Sequence, residues 1–383
     1  MSKLDDLIAE FCPDGVEFVK LGEVLKNNNA SNSVSKKDYK ETGKLLIIDQ
    51  SQAYIAAYTD NESAVPPILP CIIFGDHTRI VKYAEQKFAQ GDSGTKIFIP
   101  NTSSANTKYV YYAFCNLRIT SRGYNRHWSI AKDEIIPLPP LPVQQEIVRI
   151  LDKFTLLEAE LEAELTARKK QYEYYRKKLL SFDESVPKMP LGSICIVQSG
   201  GTPSKAKHEY WGNGTIKWLG STVCQNQKTV TEVTNYISEA GLKNSSAKLM
   251  KKDTTLIALV GATIGKIAFL SFEAAINQNI AGIYPNDITK LNPSYVFYAC
   301  GMLYADFVGL SQGKLAMANL SFVRGLKIPV PSLEEQERIV AILDRFDALC
   351  NDLTNGLPAE IAARKKQYEY YRDKLLTFKE KLS

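Results

Sequence analysis

Ala167-Arg-Lys-Lys-Gln-Tyr-Glu-Tyr-Tyr-Arg176 recurs, residue for residue, as Ala363-Arg-Lys-Lys-Gln-Tyr-Glu-Tyr-Tyr-Arg372. An identity of that length inside a chain not otherwise low in complexity marks duplicated architecture. Reading outward, Ile136-Pro-Leu-Pro-Pro-Leu141, Gln144 and Ile150-Leu-Asp-Lys-Phe154 recur as Ile328-Pro-Val-Pro-Ser-Leu333, Gln336 and Ile342-Leu-Asp-Arg-Phe346. The chain is two copies of one module.

Further out the echo becomes fainter. Leu21-Gly22 matches Leu191-Gly192, Gly75 matches Gly261, each before a turn, and Asn106-x-x-Tyr-Val-x-Tyr-Ala113 matches Asn292-x-x-Tyr-Val-x-Tyr-Ala299. The offset between the copies grows from 170 to 186, 192 and 196, so the second copy has gained residues in at least three places. Each copy reads as a divergent globular part followed by a nearly unchanged helical part. Such a chain keeps one docking surface constant and varies something else.

The helical parts are legible from spacing. From Gln144 to Phe182, Ile150, Phe154, Leu157, Leu161, Leu165, Tyr172, Tyr175 and Leu179 recur in steps dominated by three and four, one face of a helix. The second arm, Glu335 to about Lys379, carries the same face from Ile342 to Leu375. A helix of roughly 58 Å, at ~1.5 Å per residue, needs a partner along its apolar face, and the other arm supplies it. Asn355-Gly-Leu-Pro358 predicts a kink or break in the second arm, while Glu158-Ala-Glu-Leu161 and its tandem copy Glu162-Ala-Glu-Leu165 are strong helix formers. The basic ends, Arg168 to Lys178 and Arg364 to Lys374, interleave tyrosines with lysines and arginines. They are either a solvated coiled-coil face or a docking or phosphate-contacting surface, in which Arg168, Lys169, Tyr172, Tyr175, Arg364, Lys365, Tyr368 and Tyr371 are the candidate partner-binding residues.

The globular parts read as α+β. Lys44–Asp49, Cys71–Phe74, Ile80–Tyr83 and Lys96–Ile99 are predicted strands, followed by a helix from Asn106 to about Leu117. In the second copy the strands are Thr215–Leu219, Thr255–Val260, Lys266–Ser271 and Ile280–Tyr284, followed by a helix from about Pro293 to Tyr304. The expected division is a first globular domain over 1–143, an arm over 144–182, a second domain over 183–334 and an arm over 335–380.

Composition excludes several classes. The 383 residues allow two or three domains, and a net charge of +5 favours an acidic partner only weakly. Seven cysteines without a Cys-x-x-Cys, and three histidines, argue against a disulfide framework or a metal site and for a reducing, cytosolic compartment. No signal-peptide or membrane-spanning run is present in the sequence. Gly261-Ala-Thr-Ile-Gly-Lys266 is one residue short of a phosphate loop, and Ile267 stands where magnesium's hydroxyl ligand belongs, so it reads as a strand turn. Asp14, Glu17 and Lys20 mimic a nuclease triad but crowd into one octapeptide. No Asn-Pro-Pro-Tyr or Asp-Pro-Pro-Tyr loop for amine methylation occurs. No enzyme is legible, and no cofactor is expected.

What remains are turn residues of the types that reach base edges or fix phosphates: His77, Thr78 and Arg79; Arg122, Tyr124, Arg126 and His127; Thr202, Lys217 and Trp218; Thr263 and Lys266; and Gln312 and Lys314.

The duplicated arms with Ile-Pro-x-Pro before a Gln-x-x-Ile-Val helix, Cys12-Pro-Asp-Gly-Val-Glu17 with Lys20-Leu-Gly-Glu23, Phe74-Gly-Asp-His-Thr-Arg79 and Gly200-Gly-Thr-Pro203 resemble the specificity (S) subunit of Type I restriction-modification enzymes. The resemblance spans essentially the whole chain. It implies two target-recognition domains, each reading half of a bipartite site in double-stranded DNA, and an antiparallel coiled coil of the arms. It further implies two methyltransferase (M) subunits that bind S-adenosylmethionine, ATP-dependent restriction (R) subunits, and no catalysis by the chain itself. A non-DNA assembly scaffold with paired binding domains, and an ATPase using Gly261 to Lys266, are the competing readings of the residues alone.

Overall fold

The segment Leu141–Leu179 is one continuous helix of 39 residues. It begins three residues before Gln144 because Pro142 sits in its first turn, where the missing N–H is not needed. The second arm is two helices, Leu333–Asn351 and Leu357–Leu375. The expected break falls between them: a Cβ on Gly356 would lie 2.5 Å from the Ala348 carbonyl oxygen and 2.7 Å from that of Asp352. Only glycine lets the chain turn that closely back on the preceding helix. These features belong to a computed structural model that describes residues 3–101, 103–230, 232–309 and 317–381. Gln312 and Lys314 lie outside the described residues.

The chain forms two compact units, Met1–Glu160 with Ile361–Ser383, and Leu161–Glu360. Each unit therefore takes one half of each arm, which a linear division of the sequence into domains and arms does not convey. The reason is the antiparallel pairing of the helices. In the first unit Phe154 stacks on Tyr371 at 5.3 Å and Glu158 pairs with Lys365 at 3.2 Å. In the second, Tyr172 and Tyr175 pack against Phe346 at 6.1 and 5.6 Å.

In the first unit the antiparallel sheet order is Leu25–Asn27, Thr95–Pro100, Cys71–Gly75, Val81–Ala84. Its apolar face, with Ile72 and Phe74, packs under the helix Thr107–Asn116 and against Val143, Ile147 and Leu151 of the arm. A smaller sheet places Leu45–Ile48 between Ala57–Thr59 and Ala89–Gln90, the latter in parallel. The second unit repeats the plan: Cys195–Ser199, Ile280–Pro285, Thr255–Ala258, Ile267–Phe269 under the helix Pro293–Gly301, with Asn235–Ile237, Ile216–Leu219, Ala274–Ile276, Lys248–Met250 beside it. The strands expected from sequence lie inside these ranges or within two residues of them. Leu25–Asn27, Ala57–Thr59, Ala89–Gln90, Cys195–Ser199, Asn235–Ile237, Lys248–Met250 and Ala274–Ile276 were not among the expected strands; all but Cys195–Ser199 are three residues or fewer, too short to show a period. Two-stranded ribbons, Glu17–Lys20 with Ile135–Leu138 and Lys188–Pro190 with Lys327–Pro329, tie each domain's entry to its exit.

The repeated polar residues form one lock, built twice. Buried Gln144 accepts the Asn106 N–H at 2.8 Å and donates to the Ser104 and Pro139 carbonyls at 2.8 and 2.6 Å. Gln336 accepts from Asn292 at 2.8 Å and donates to Lys290 and Pro331 at 3.0 and 2.9 Å. Asn106 and Asn292 then cap the domain helices. Tyr109 donates to the Pro137 carbonyl and Tyr295 to that of Pro329, while Tyr112 and Tyr298 each donate at 2.6 Å to an arm carboxylate, Asp152 and Asp344. Burial pushes these four hydroxyls well above their usual range, so they remain neutral donors. Buried polar groups are tolerated when satisfied, and in each copy the bonds of Gln144 or Gln336 to the domain loop and of the two tyrosines tie the globular domain to the arm or the arm's approach.

One sequence match needs correcting. Gly75 and Gly261 are not equivalent: the Gly75 N–H bonds to the Ile80 carbonyl, and the corresponding closing bond runs from Ala258 to Lys266. The carbonyl of Asp76 accepts from the His127 N–H just as that of Leu259 accepts from Ala318, each at 2.8 Å. Gly75 thus corresponds to Ala258. The first turn encloses residues 76–79 and the second 259–265, so the second is three residues longer. The two glycines serve different needs: a Cβ on Gly75 would lie 2.1 Å from Thr78 Oγ1, and the left-handed residue of its turn is Arg79 at φ 63, whereas Gly261 stands in open space at φ 71.

Candidate nucleic-acid interface

In the first unit two loops separated by over forty residues form one head. Asp76, almost wholly buried, is its hub. Its carbonyl accepts both the His127 backbone N–H at 2.8 Å and His127 Nδ1 at 2.9 Å. Its carboxylate accepts the Trp128 N–H at 2.8 Å and faces Lys96 at 3.6 Å. The Arg122 N–H donates to His127 Nε2 at 3.1 Å, so Nε2 carries the lone pair and Nδ1 the proton, a neutral tautomer assigned by its partners. His127 has no exposed surface. It was expected among the DNA contacts, and that expectation is corrected: its ring holds the Ser121–Arg126 loop onto the Gly75–Ile80 turn.

The other candidates in this unit lie at the surface together. The His77 ring stacks on Tyr124 with centroids 4.4 Å apart, and its Nδ1 lies 3.2 Å from the Asn125 carbonyl. Arg79, at φ 63, donates to the Ile119 carbonyl at 3.0 Å. Thr78 is exposed but its hydroxyl donates to the Gln50 carbonyl at 2.6 Å. Arg122 and Arg126 are exposed. Beside them Arg79 and Arg118 border a depression of about 580 Å³ with Phe114, Thr120 and Ser121. The acids beneath are occupied: Asp76 by Lys96, Asp92 by Gln50 and Lys36. The outward face is therefore basic, which suits phosphates.

Sequence reasoning does not find Gln50 or Arg118. Gln50 accepts the His77 N–H at 3.2 Å and donates to Asp92, bracing the turn from below. It sits just past a strand end, where sequence alone offers no sign of tertiary partners.

In the second unit the candidates divide. Thr202 donates to Gln278 at 2.8 Å, and Trp218 is buried with its indole N–H on the Gly201 carbonyl at 3.0 Å. A Cβ on Gly200 would lie 1.9 Å from the Ile276 carbonyl oxygen and one on Gly201 1.9 Å from Ser246 Oγ, so the glycine pair serves close packing. Trp218 is likewise corrected from a surface contact to part of that packing. Lys217 lies 3.7 Å over the Phe272 ring. Thr263 and Lys266 are half-buried in the turn after Thr255–Ala258, Lys266 within 3.5 Å of Gln225 Oε1. Thr202 and Lys266 hold different partners, Gln278 and Gln225.

On the arms, Tyr172 is buried against Phe346, and Tyr175 and Tyr371 lie half over aromatic neighbours. Tyr172 is corrected from docking residue to core. Tyr368 is half-buried beside Arg372. Lys169 is exposed; Arg168 and Arg364 bond to Gln171 and Gln367 three residues on, and Lys365 pairs with Glu158. The most outward tyrosines are not among the expected docking residues: Tyr174 is 60% exposed and Tyr370 62%, each edge-on to the next ring. Their position two residues from an inward Tyr, buried Tyr172 or half-buried Tyr368, on the opposite side of a helix, is a usable signal.

Among the described residues no group of three metal-ligating side chains occurs, and no helix is long and apolar enough to cross a membrane.

Compared with known proteins, the chain matches the model of the Type I restriction modification DNA specificity domain twice, over residues 13–167 and 184–363. It is 36% identical to the EcoR124I/EcoR124II specificity subunit of a type I restriction enzyme from Escherichia coli, covering 99% of this chain and 97% of that one. It is 30% identical to a putative type I restriction enzyme specificity subunit from Haemophilus influenzae, over 95% and 96% of the two chains. Among solved structures, the S subunit of a Type-I restriction-modification system from M. genitalium matches with a TM-score of 0.62 at 17% identity, over 94% and 96% of the chains. At that identity the likeness concerns the fold alone.

Proposed function

Because the chain belongs to the type I restriction-modification DNA specificity family, we propose that its two globular parts each read one half of a bipartite, asymmetric site in double-stranded DNA. Its arms dock two methyltransferase subunits that bring S-adenosylmethionine, and ATP-dependent restriction subunits join that assembly in the cytoplasm. The chain itself contributes recognition and no catalysis.

The observation that carries this reading is the contrast within one plan. The lock of Gln144, Asn106, Tyr109 and Tyr112 is kept in the second unit as Gln336, Asn292, Tyr295 and Tyr298, whereas the head it supports changes. His127 is replaced by Ala318, and a turn over 76–79 by one over 259–265. A fixed mount with a variable tip suits two readers of different sequences, and mismatches at about 1–3 kcal/mol per base pair make two readers far more selective than one.

Purified chain incubated with S-adenosylmethionine, magnesium and DNA is expected to transfer no methyl groups; robust transfer contradicts a purely recognising role. In the assembled complex, Arg79→Ala and Arg126→Ala are expected to weaken DNA binding. If Arg126 contacts a phosphate, its loss lowers affinity evenly across sequences and reduces the salt slope by about 1; if it reads a base, about 1–3 kcal/mol of discrimination is lost at one position of one half-site. Affinity unchanged in both variants would remove this head from the interface.

A further inference from the structure

We propose that the outer face of Tyr124 is a stacking site for one nucleobase of duplex DNA, so that the first domain recognises its half-site partly by opening a base step. This rests on the reading of that head as a DNA interface and deepens it by naming how contact is made.

The ring is both exposed and fixed. Tyr124 is 84% exposed, yet its plane lies within 6° of the His77 ring at 4.4 Å. His77 is held in turn, its backbone N–H on Gln50 Oε1 at 3.2 Å and its Nδ1 beside the Asn125 carbonyl at 3.2 Å. One face of the tyrosine is thus covered by a ring that cannot drift away, while the other meets solvent. A nucleobase is a flat aromatic partner that continues such a stack, and every base has a π-face to offer.

Charge points the same way. Arg122 and Arg126 lie two residues to either side of Tyr124, both exposed, with Arg79 on the adjoining turn. A flat ring amid cations matches a polymer that alternates anionic phosphates with aromatic bases.

The backbone is shaped to present the ring. Gly123, at φ +68, has nothing within 4 Å of where a Cβ would stand, so its left-handed conformation and not crowding calls for glycine. Arg79 holds φ 63 without being glycine, retained by its bond to the Ile119 carbonyl. Strained backbone persists where its surroundings over-determine it, and Arg79 lies in one of the two loops that the buried His127 joins.

A ring pushed between base pairs partly unstacks them, and pyrimidine–purine steps yield most easily. Tyr124 would therefore select a deformable step at a position where no hydrogen bond reads the base.

The test uses the full chain alone, without methyltransferase subunits, so that no partner can extrude a base. Duplexes carrying its methylated motif are prepared with 2-aminopurine or pyrrolocytosine at each position of the first half-site in turn. The expected result is a rise in fluorescence confined to one step. Tyr124→Phe keeps the rise and the affinity; Tyr124→Ala abolishes the rise and weakens binding by roughly 5- to 150-fold, while recognition of the second half-site persists. A duplex with a one-nucleotide bulge at that step should bind the wild-type chain more tightly and recover part of what Tyr124→Ala loses. Sequence-specific binding by the wild type with no fluorescence change anywhere in the half-site, or Tyr124→Ala binding within twofold of wild type, overturns the stacking site and leaves the DNA-reading role standing. Absence of sequence-specific binding by the wild-type chain overturns both.

Discussion

A third Glu-Ala-Glu-Leu unit inserted after Leu165 is expected to abolish methylation at the original sites and create it at sites whose two halves stand one base pair further apart, or at most two. The tandem repeat Glu158–Leu165 straddles the boundary between the compact units, at Glu160 and Leu161, inside a helix with no break. Four residues add ~6 Å and rotate the remainder of the helix by ~400°, a net of about 40°. One base pair rises ~3.4 Å and twists about 35°. The rotation matches one added pair, the length nearly two. Fourteen residues separate Phe154 from Arg168 and eighteen separate Phe346 from Arg364, so the insertion brings the first arm to the length of the second. Four residues are close to a helical turn, and the apolar stripe stays in phase. Losing several base contacts at about 1–3 kcal/mol each makes the old sites worse by more than about 1,000-fold. Sequencing methylated DNA from cells carrying the variant with its partner subunits reads the outcome, and an unchanged gap at full activity would show that the arms do not set it.

Gln144→Leu is expected to destabilise the first unit by about 3–5 kcal/mol. The side chain is wholly buried and all three of its hydrogen bonds go to backbone groups, at Asn106, Ser104 and Pro139. Leucine fills the space but leaves one N–H and two carbonyls without that partner, at about 1–3 kcal/mol for each buried group left unsatisfied. Trp128 lies in the first unit, and Trp211 and Trp218 in the second. In a chain with both of the latter changed to Phe, Trp128 fluorescence reports the first unit alone. With a urea m-value of about 1–3 kcal/mol/M, the midpoint should fall by roughly 1–5 M. Gln336→Leu removes the matching lock of the second unit, so its main effect belongs there. A Gln144→Leu midpoint within about 0.3 M of the parent would show that the lock adds little to stability.

These expectations show what was legible. The arms, their shared face and the break at Gly356 were readable because helical spacing and glycine chemistry are local. The α+β class followed from strands such as Cys71–Gly75 and Ile280–Pro285, whose apolar runs are almost entirely buried. The lock was visible only as repetition: Gln144 and Gln336 stood out, but nothing local says that they bond to loops about forty residues away. The heads were legible in residue type and not in orientation. His77, Tyr124 and Arg79 face outward, while His127 and Trp218, drawn from the same kinds of short motif, face inward to hold those motifs in place. A sequence motif preserves both kinds of residue alike, since a reading loop needs its brace as much as its tip. The false match of Gly75 with Gly261 arises because a glycine required by close packing and one required by a left-handed backbone look alike in sequence.

The central claim is that the two domains are separate readers on one repeated mount. Replacing residues 20–135 by the equivalent segment of a relative, with Gln144 and both arms left intact, and mapping the methylated motif across genomic DNA tests it most directly. The account predicts a motif in which one half changes, the other half is identical, and the gap between them is kept. A motif altered in both halves would contradict it.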